Sequence, residues 1–362
     1  MKYNWFKPLN FTKEFSRSLA EVVKKNKMTM GEKTIELENL LKDILKVKHV
    51  VLTTSGTSAL MMATLAAGIK PKDVVISPNL TWVATTNPAK ILSADIKLVD
   101  TQKFSERISF EHLNEKIKKH KPKLVLLVHL NGQSNYDKEF EALKSKHNFF
   151  VIEDAAQALL SQTDSQISCG TVYDIGCFSL SMTKPINMVY GGFCTTNSKS
   201  LASKLQSIRN NGLKSEAWYL KSELASNIGL NLKPSDLHSS IGIINLKARD
   251  SIAKKQTDIY NFYKKNLKNK KLNLVEIKGK FSTPCYPQIL TDNRDQLISY
   301  CEKKNVELHT GIRCLSETGP LKDDEKKFPN SIYMSRNIAR LPSGPGYDLN
   351  QIKEITSILN QY

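Results

Sequence analysis

From residue 49 to residue 154 the chain repeats one pattern, a short run of β-branched and aliphatic residues followed by a longer run with helical spacing. His49–Ser55, Asp73–Ser77, Ile96–Asp100, Lys123–Leu130 and Phe149–Asp154 read as strands. Gly56–Gly68, Thr81–Ser93, a segment from about Phe110 and Lys138–His147 read as helices. The strands are apolar without alternation, which is what a sheet covered by helices on both faces requires. Alternating strands and helices build a largely parallel sheet through right-handed crossovers. The expected fold class is therefore α/β, with a large αβα sandwich domain. Ile175–Ser179 and Phe193–Asn197 are two further strands, close enough together to form a hairpin.

After Gly212 the pattern changes. A loop leads to Pro234-Ser235, a helix start with proline near the first turn. One long helix is expected from about Asp236 toward Lys268. Strands at Leu272–Ile277 and Cys285–Leu290 and helices at Arg294–Lys304 and Leu349–Leu359 then suggest a smaller α+β domain. The expected division is 1–245, an N-terminal segment with the large domain, and 246–362, a small C-terminal domain. A chain of 362 residues is long enough for both.

Charge narrows the possible partners. Lys and Arg number 53 against 35 Asp and Glu, a net charge of +18. Such a balance suits nucleic acid, a membrane surface or an anionic small molecule. The densest runs, Lys116–Lys123 and Lys264–Lys271, carry no interleaved aromatics and belong to no helix-turn-helix or zinc finger. No nucleic-acid partner is expected, and an anionic substrate is compatible. No apolar run reaches the ~18 residues of a membrane span. Met1–Leu19 lacks the apolar core of a signal peptide. Six cysteines show neither a CxxC pair nor metal-ligand spacing, so reduced thiols, no metal and a cytoplasmic location are expected.

In a parallel sheet ligands bind at the carboxyl ends of the strands, and three segments stand there. Thr53-Thr54-Ser55-Gly56-Thr57-Ser58 is a strand end, a small-residue turn and a helix start. Its free backbone N–H groups suit a phosphate, although a Ser/Thr helix cap explains it equally well. Glu153-Asp154-Ala155-Ala156-Gln157 closes another strand with an acid pair and an amide one turn on. Asp154 can pair with a protonated heterocycle or cap a helix. Phe178-Ser179-Leu180-Ser181-Met182-Thr183-Lys184 leads to Tyr190-Gly191-Gly192. A desolvated lysine beside an aldehyde forms a Schiff base, whereas a lone lysine is ordinarily a surface charge. A phosphate cradle, a carboxylate and a lysine, in that order, give Lys184 its meaning.

These segments resemble the DegT/DnrJ/StrS family of sugar aminotransferases that use pyridoxal phosphate. The resemblance covers most of the chain. It rests on Met28-Thr29-Met30-Gly31, Ser55-Gly56-Thr57-Ser58-Ala59-Leu60, Thr81-Trp82-Val83-Ala84-Thr85 and Val128-His129-Leu130-Asn131-Gly132-Gln133. It continues through Glu153–Ala158, Phe178–Lys184, Arg209-Asn210-Asn211-Gly212, Gly229-Leu230-Asn231-Leu232-Lys233, Phe328-Pro329-Asn330 and Leu341-Pro342. It implies a fold-type-I transferase with pyridoxal 5'-phosphate as cofactor. Lys184 would be the Schiff-base lysine, Asp154 the partner of the pyridine nitrogen, and Gln157 a neighbour of the phenolic oxygen. Trp82 would stack on the ring. Gly56, Thr57, Ser58 and Ser179 would contact the cofactor, the last three at its phosphate. Asn231 would reach the phosphate site of a second subunit, which implies a homodimer.

The implied activity moves an amino group, from glutamate as donor, to a keto group on a nucleotide-linked sugar for surface polysaccharide or glycan synthesis. A free keto sugar or a cyclitol is an alternative acceptor, and a non-catalytic or regulatory protein of the same fold is an alternative class. Sugar deoxygenases of this type carry histidine at the lysine position, and Lys184 argues against one. Several residues depart from the family pattern. Leu159-Leu160 replace a usual His-Gly pair, Pro185–Tyr190 lacks the usual glycines and acid, Asn211 replaces a histidine and Lys233 an arginine. The resemblance implies that enzymes of this fold using only amino acids hold the substrate carboxylate with a small-domain arginine; among Arg294, Arg313, Arg336 and Arg340, only Arg313 sits in a turn-like stretch. The Lys-rich composition points instead to an open, basic cleft beside Lys184 for a diphosphate.

Overall fold

The computed structural model describes residues 1–214, 225 and 228–362. Seven strands form the large sheet: β1 (His49–Thr53), β2 (Val74–Pro78), β3 (Asp95–Val99), β4 (Leu124–Val128), β5 (Phe150–Asp154), β6 (Ile175–Ser179) and β7 (Gly192–Thr196). Their order is β1-β7-β6-β5-β4-β2-β3. Only β7 runs against the rest: it pairs antiparallel with both β1 and β6, and every other pairing is parallel. The carboxyl ends of the other six strands therefore share one edge, and β7 begins there.

The unbroken apolar runs are explained by the two cores they serve. Leu124 and Leu126 of β4 pack into one hydrophobic cluster with Ala59, Met62 and Ile208, while Val125 and Leu127 pack into another with Ile117 and Phe140. Successive side chains of a strand face opposite sides, so a sheet covered twice has no place for polar residues. Each fully buried Val or Leu contributes about 1.5–3 kcal/mol. Local signals start the helices: Ser55 Oγ accepts a hydrogen bond from Ser58 N at the head of Gly56–Ala66, and Asp137 does the same for Lys138–His147.

Two expected helices are interrupted. Thr81–Ser93 is a 3-10 turn at Val83–Thr85 followed by a short helix at Asn87–Ile91. Pro88 sits in the first turn of that helix, where its missing N–H is harmless; inside one continuous helix it would clash with the carbonyl four residues back. The long helix is two, Asp236–Lys247 and Arg249–Asn266, meeting at Ala248. The first is buried on most sides in the large core. The second leaves that core at Ile252 and carries Ile259 and Tyr263 into a separate one. The loop expected between Gly212 and Pro234 lies partly outside the described residues.

That separate core underlies a four-stranded sheet, in the order β10-β11-β9-β8, formed by β8 (Asn273–Leu274), β9 (Gln288–Leu290), β10 (His309–Thr310) and β11 (Ile338–Arg340). The strands expected at Leu272–Ile277 and Cys285–Leu290 shrink to β8 and β9. The start of the chain joins this region: Tyr3 bridges to Val306, Phe6 bridges to Ser343, and Tyr3 is part of the same core. Among the described residues no helix is long and apolar enough to cross a membrane, no cluster of side chains could hold a metal ion, and all six cysteines are free and buried.

Candidate active site

The shared strand edge opens into a cavity of about 400 Å³. The turn after β1 brings Ser55, Gly56 and Thr57 to it, and the segment after β2 brings Thr81 and Trp82. The ends of β4, β5 and β6 bring His129, Asp154 and Ser179, with Gln157 and Lys184 from the loops that follow. His309 and Arg340 close it from the small sheet, Tyr286 from the segment ahead of β9, and Trp5 from the N-terminal segment.

Backbone packing shapes the cradle. A Cβ on Gly56 would lie 2.8 Å from Ser179 Cβ, and one on Gly192 would lie 2.4 Å from the carbonyl carbon of Ser55. Both glycines are needed for β6 and β7 to approach the turn so closely. Ser58 does not line the cavity. Its hydroxyl is engaged with Thr54 Oγ1 at 2.8 Å and Ser55 Oγ at 2.9 Å, and Ser55 takes a place in the wall.

Asp154 is buried at the end of β5. Its Oδ2 accepts from Thr85 Oγ1 at 2.7 Å and its Oδ1 from Ala156 N at 3.1 Å. The capping interaction therefore accounts for one oxygen only. Burial pushes the carboxyl pKa up, and the bond from Thr85 opposes that only in part. Its neighbour Glu153 faces elsewhere: it accepts from Gly170, Val172 and Tyr173 N–H groups and meets His129 Nε2 at 2.9 Å. Asn135 N donates to His129 Nδ1, which fixes the proton of a neutral ring on Nε2. The acid pair thus divides, with Glu153 fastening a loop and Asp154 facing the cavity.

Lys184 lies in the loop between β6 and β7. Leu180 N and Met188 N fix the two ends of its turn, on Gly191 O and Leu180 O. Its amine contacts Tyr286 Oη at 3.4 Å, and Tyr286 in turn donates to Thr183 O at 3.1 Å. Although the side chain opens onto the cavity, its surroundings desolvate the amine and lower its pKa. Part of that wall consists of the residues that depart from the family pattern. Leu159, Leu160, Pro185 and Ile186 line one narrow cleft with Lys184 and Cys285. The two departures are thus one packing arrangement beside the lysine.

Gln157 is held by its oxygen, which accepts from Asn131 N at 2.9 Å and leaves the amide NH2 for a ligand. Trp82 is 61% exposed and lines the cavity, so it is not a core residue. Asn231 is exposed, bridges to Asn210 through its backbone and does not line this chain's cavity. Trp5, Tyr286, His309 and Arg340 carry no signal in their local sequence. Arg313 is exposed and lies outside the cavity wall, and Arg340 takes the place there.

Comparison with known proteins agrees with this geometry. The model of the DegT/DnrJ/EryC1/StrS aminotransferase family matches residues 10–360. The chain is 33% identical over 304 residues to the UDP-4-amino-4,6-dideoxy-N-acetyl-beta-L-altrosamine transaminase of Campylobacter jejuni, covering 82% of this chain and 78% of that one. It is 29% identical over 341 residues to the GDP-perosamine synthase of Vibrio cholerae, covering 92% and 91%. A DegT DnrJ EryC1 StrS aminotransferase from Brucella abortus has the same fold, with a TM-score of 0.89, 24% identity and coverage of 96% and 95%.

Proposed function

This chain belongs to the DegT/DnrJ/EryC1/StrS aminotransferase family, and from that premise we propose that it binds pyridoxal 5'-phosphate and transfers an amino group from glutamate to a keto group of a nucleotide-linked sugar, for surface polysaccharide or glycan synthesis. The observation that carries this reading is the convergence of Lys184, Asp154 and the Ser55–Gly56–Ser179 cradle on one cavity.

The residues suit the cofactor. Asp154 is a buried carboxylate without a cation in hydrogen-bonding contact, and a protonated ring nitrogen would offset the cost of its charge. The two glycines let β6 and β7 close against the turn after β1, whose helix start offers backbone N–H groups suited to a phosphate. When bound, pyridoxal 5'-phosphate supplies an aldehyde that captures amines and a conjugated ring that accepts an electron pair from the substrate carbon.

The chain's own residues do the rest. Lys184, with its lowered pKa, offers a neutral amine at lower pH than an ordinary lysine, so Nζ can attack a carbonyl and later carry a proton between two carbons. Asp154 keeps the proton on the ring nitrogen. The Gln157 amide would donate toward the phenolic oxygen, and Trp82 would cover a ring face. Gly56, Thr57 and Ser179 hold the phosphate. Ser58 supports them by anchoring Ser55. A homodimer in which Asn231 reaches the partner's phosphate site is part of the same reading, and the exposed Met182, Tyr190, Ile228 and Leu230 offer apolar surface for a second copy.

The test is the half-reaction of the aminated enzyme with a panel of nucleotide-linked keto sugars, run with nucleoside diphosphates as competitors at low and high salt. Turnover of one nucleotide sugar, competition by its nucleoside diphosphate and tighter binding at low salt are expected. Turnover of a free keto sugar with indifference to every nucleoside diphosphate would replace the acceptor by an unlinked ketone.

A further inference from the structure

Asn131 stands in the 3-10 turn Leu130–Gly132 that follows β4. His129 N ties the turn to the neighbouring strand by donating to Asp154 O at 2.9 Å. Asn131 is buried and left-handed, with φ 53° and ψ 29°. Its hydrogen bonds reach three separate parts of the molecule. Its backbone N donates to Gln157 Oε1 at 2.9 Å, and its O accepts from Cys285 N at 3.5 Å. In its side chain, Oδ1 accepts from Tyr286 N at 2.7 Å and Nδ2 donates to Gln288 Oε1 at 3.1 Å. Gln157 and Tyr286 both line the cavity, and Lys184 Nζ lies 3.4 Å from Tyr286 Oη. The next residue brings the two sides together: a Cβ on Gly132 would lie 2.1 Å from Thr283 O.

A left-handed backbone is unfavourable for most residues, and asparagine is among the few besides glycine that adopt it readily. Glycine has no side chain to reach Tyr286 or Gln288. A carboxamide donates and accepts without burying a charge, so Asn131 joins the required conformation to both bonds. Gln157 follows β5 of the large sheet and Tyr286 precedes β9 of the small one. A single residue therefore fixes groups on opposite sides of the cavity. Lys184 faces Asp154 from β5, Arg340 from β11, and Cys285 and Tyr286 from the segment that Asn131 anchors. The burial that lowers the lysine pKa depends on that segment staying closed.

We propose that Asn131 is a positioning residue of this site, setting the Gln157 amide and the Tyr286 hydroxyl in register and acting on Lys184 through Tyr286. The reaction it assists rests on the aminotransferase reading above, whereas the link itself rests on hydrogen bonds within the chain.

Two measurements test it. The cofactor-free protein is labelled at Lys184 with pyridoxal 5'-phosphate and borohydride across pH, read by peptide mass spectrometry. The cofactor-loaded protein is mixed with L-glutamate alone, and the half-reaction is followed by the visible chromophore. Asn131→Gly keeps the left-handed turn and the N–H to Gln157 and removes both side-chain bonds. Its labelling midpoint should rise toward the ordinary lysine value of about 10.4, because water enters beside the amine. Its maximal half-reaction rate should fall about 10- to 100-fold, with the half-saturating glutamate concentration little changed. Asn131→Asp keeps the acceptor facing Tyr286 N and loses the donor to Gln288, so it should recover most of that rate. In Tyr286→Phe, where the hydroxyl is already gone, adding Asn131→Gly should slow the half-reaction no further. An unaltered midpoint or an unaltered rate in Asn131→Gly overturns the proposal, and so do losses from Asn131→Gly and Tyr286→Phe that multiply. If the glycine variant does not fold, Asn131→Asp decides: a rate reduced about 10-fold or more overturns the route through Tyr286. A raised midpoint in Asn131→Gly, in a protein that shows no half-reaction with any amino acid, overturns the functional reading and leaves the link standing.

Discussion

The hydroxyl of Thr85 donates a 2.7 Å hydrogen bond to Asp154 Oδ2, joining the segment after β2 to the end of β5. Thr85 reaches the carboxylate because the helix expected over residues 81–93 is broken ahead of Pro88. The bond aims Asp154 and opposes the rise in its pKa. Thr85→Val is expected to leave the fold intact, raise that pKa further and weaken cofactor affinity. Equilibrium dialysis of pyridoxal 5'-phosphate checks this, and unchanged affinity would make the bond merely structural.

Asp154 itself has opposite effects on stability and function. Its pKa is raised in the cofactor-free protein, so the folded state holds the proton more tightly than the unfolded chain. The ionised group therefore costs stability above its folded pKa, and the cost vanishes below the unfolded value of about 3.9. Asp154→Asn should raise the Tm of the cofactor-free protein by a few degrees near neutral pH and leave it unchanged in strong acid. The same variant should lose most amino transfer, because the ring nitrogen loses its counter-ion. Thermal melts across pH, run beside a turnover assay, separate the two effects.

Lys184 is expected to capture pyridoxal 5'-phosphate at a rate that rises with pH as its amine loses a proton, with a midpoint below the ordinary lysine value of about 10.4. Borohydride should then fix the cofactor on Lys184 and on no other lysine, as read by peptide mass spectrometry. Label at another position would remove Lys184 from the site.

Val189 adopts φ +68°, a left-handed conformation that a β-branched residue rarely takes, in the loop where the family usually has glycines. Val189→Gly should stabilise the protein by about 1 kcal/mol, the strain relieved less the entropy that glycine adds to the unfolded chain. Denaturant melts test it, and a destabilised variant would mean that the Val189 side chain contributes more by packing than it costs in strain.

Trp5 packs with tilted rings against His309 at 4.7 Å and Tyr286 at 5.4 Å between centroids, which places this residue in the cavity wall. Trp5→Ala should cost about 0.5–1.5 kcal/mol for each aromatic pair lost. It should raise KM for the acceptor while leaving the cofactor spectrum unchanged. A spectrum that shifts with KM unaltered would place Trp5 at the cofactor instead.

Much of the large domain can be read from the sequence because its signals are local. Leu124–Val128 declares a doubly covered strand through its own composition, and Ser55 and Asp137 announce helix starts one to three residues ahead. Residues at the ends of parallel strands necessarily share one edge, so the sequence alone associates Gly56, Asp154, Ser179 and Lys184. The two interrupted helices were harder to foresee, although Pro88 marked the first break locally. At Ala248 the sequence carries no breaker, and the bend follows from which core each half has to enter.

The opposite wall was decided by tertiary structure alone. Trp5, Tyr286, His309 and Arg340 lie more than a hundred residues from Lys184 along the chain, and each sits in a segment whose local pattern reads as ordinary strand or loop. Local sequence determines which way a strand's side chains alternate and where a helix begins, because those depend on backbone sterics over a few residues. Which distant side chain faces Lys184 depends on how the small sheet docks on the large one, through Asn131 accepting from Tyr286 N at 2.7 Å and donating to Gln288 at 3.1 Å, and through the N-terminal bridges at Tyr3 and Phe6. Contacts of that kind form only once both cores have closed, so no spacing along the chain records them.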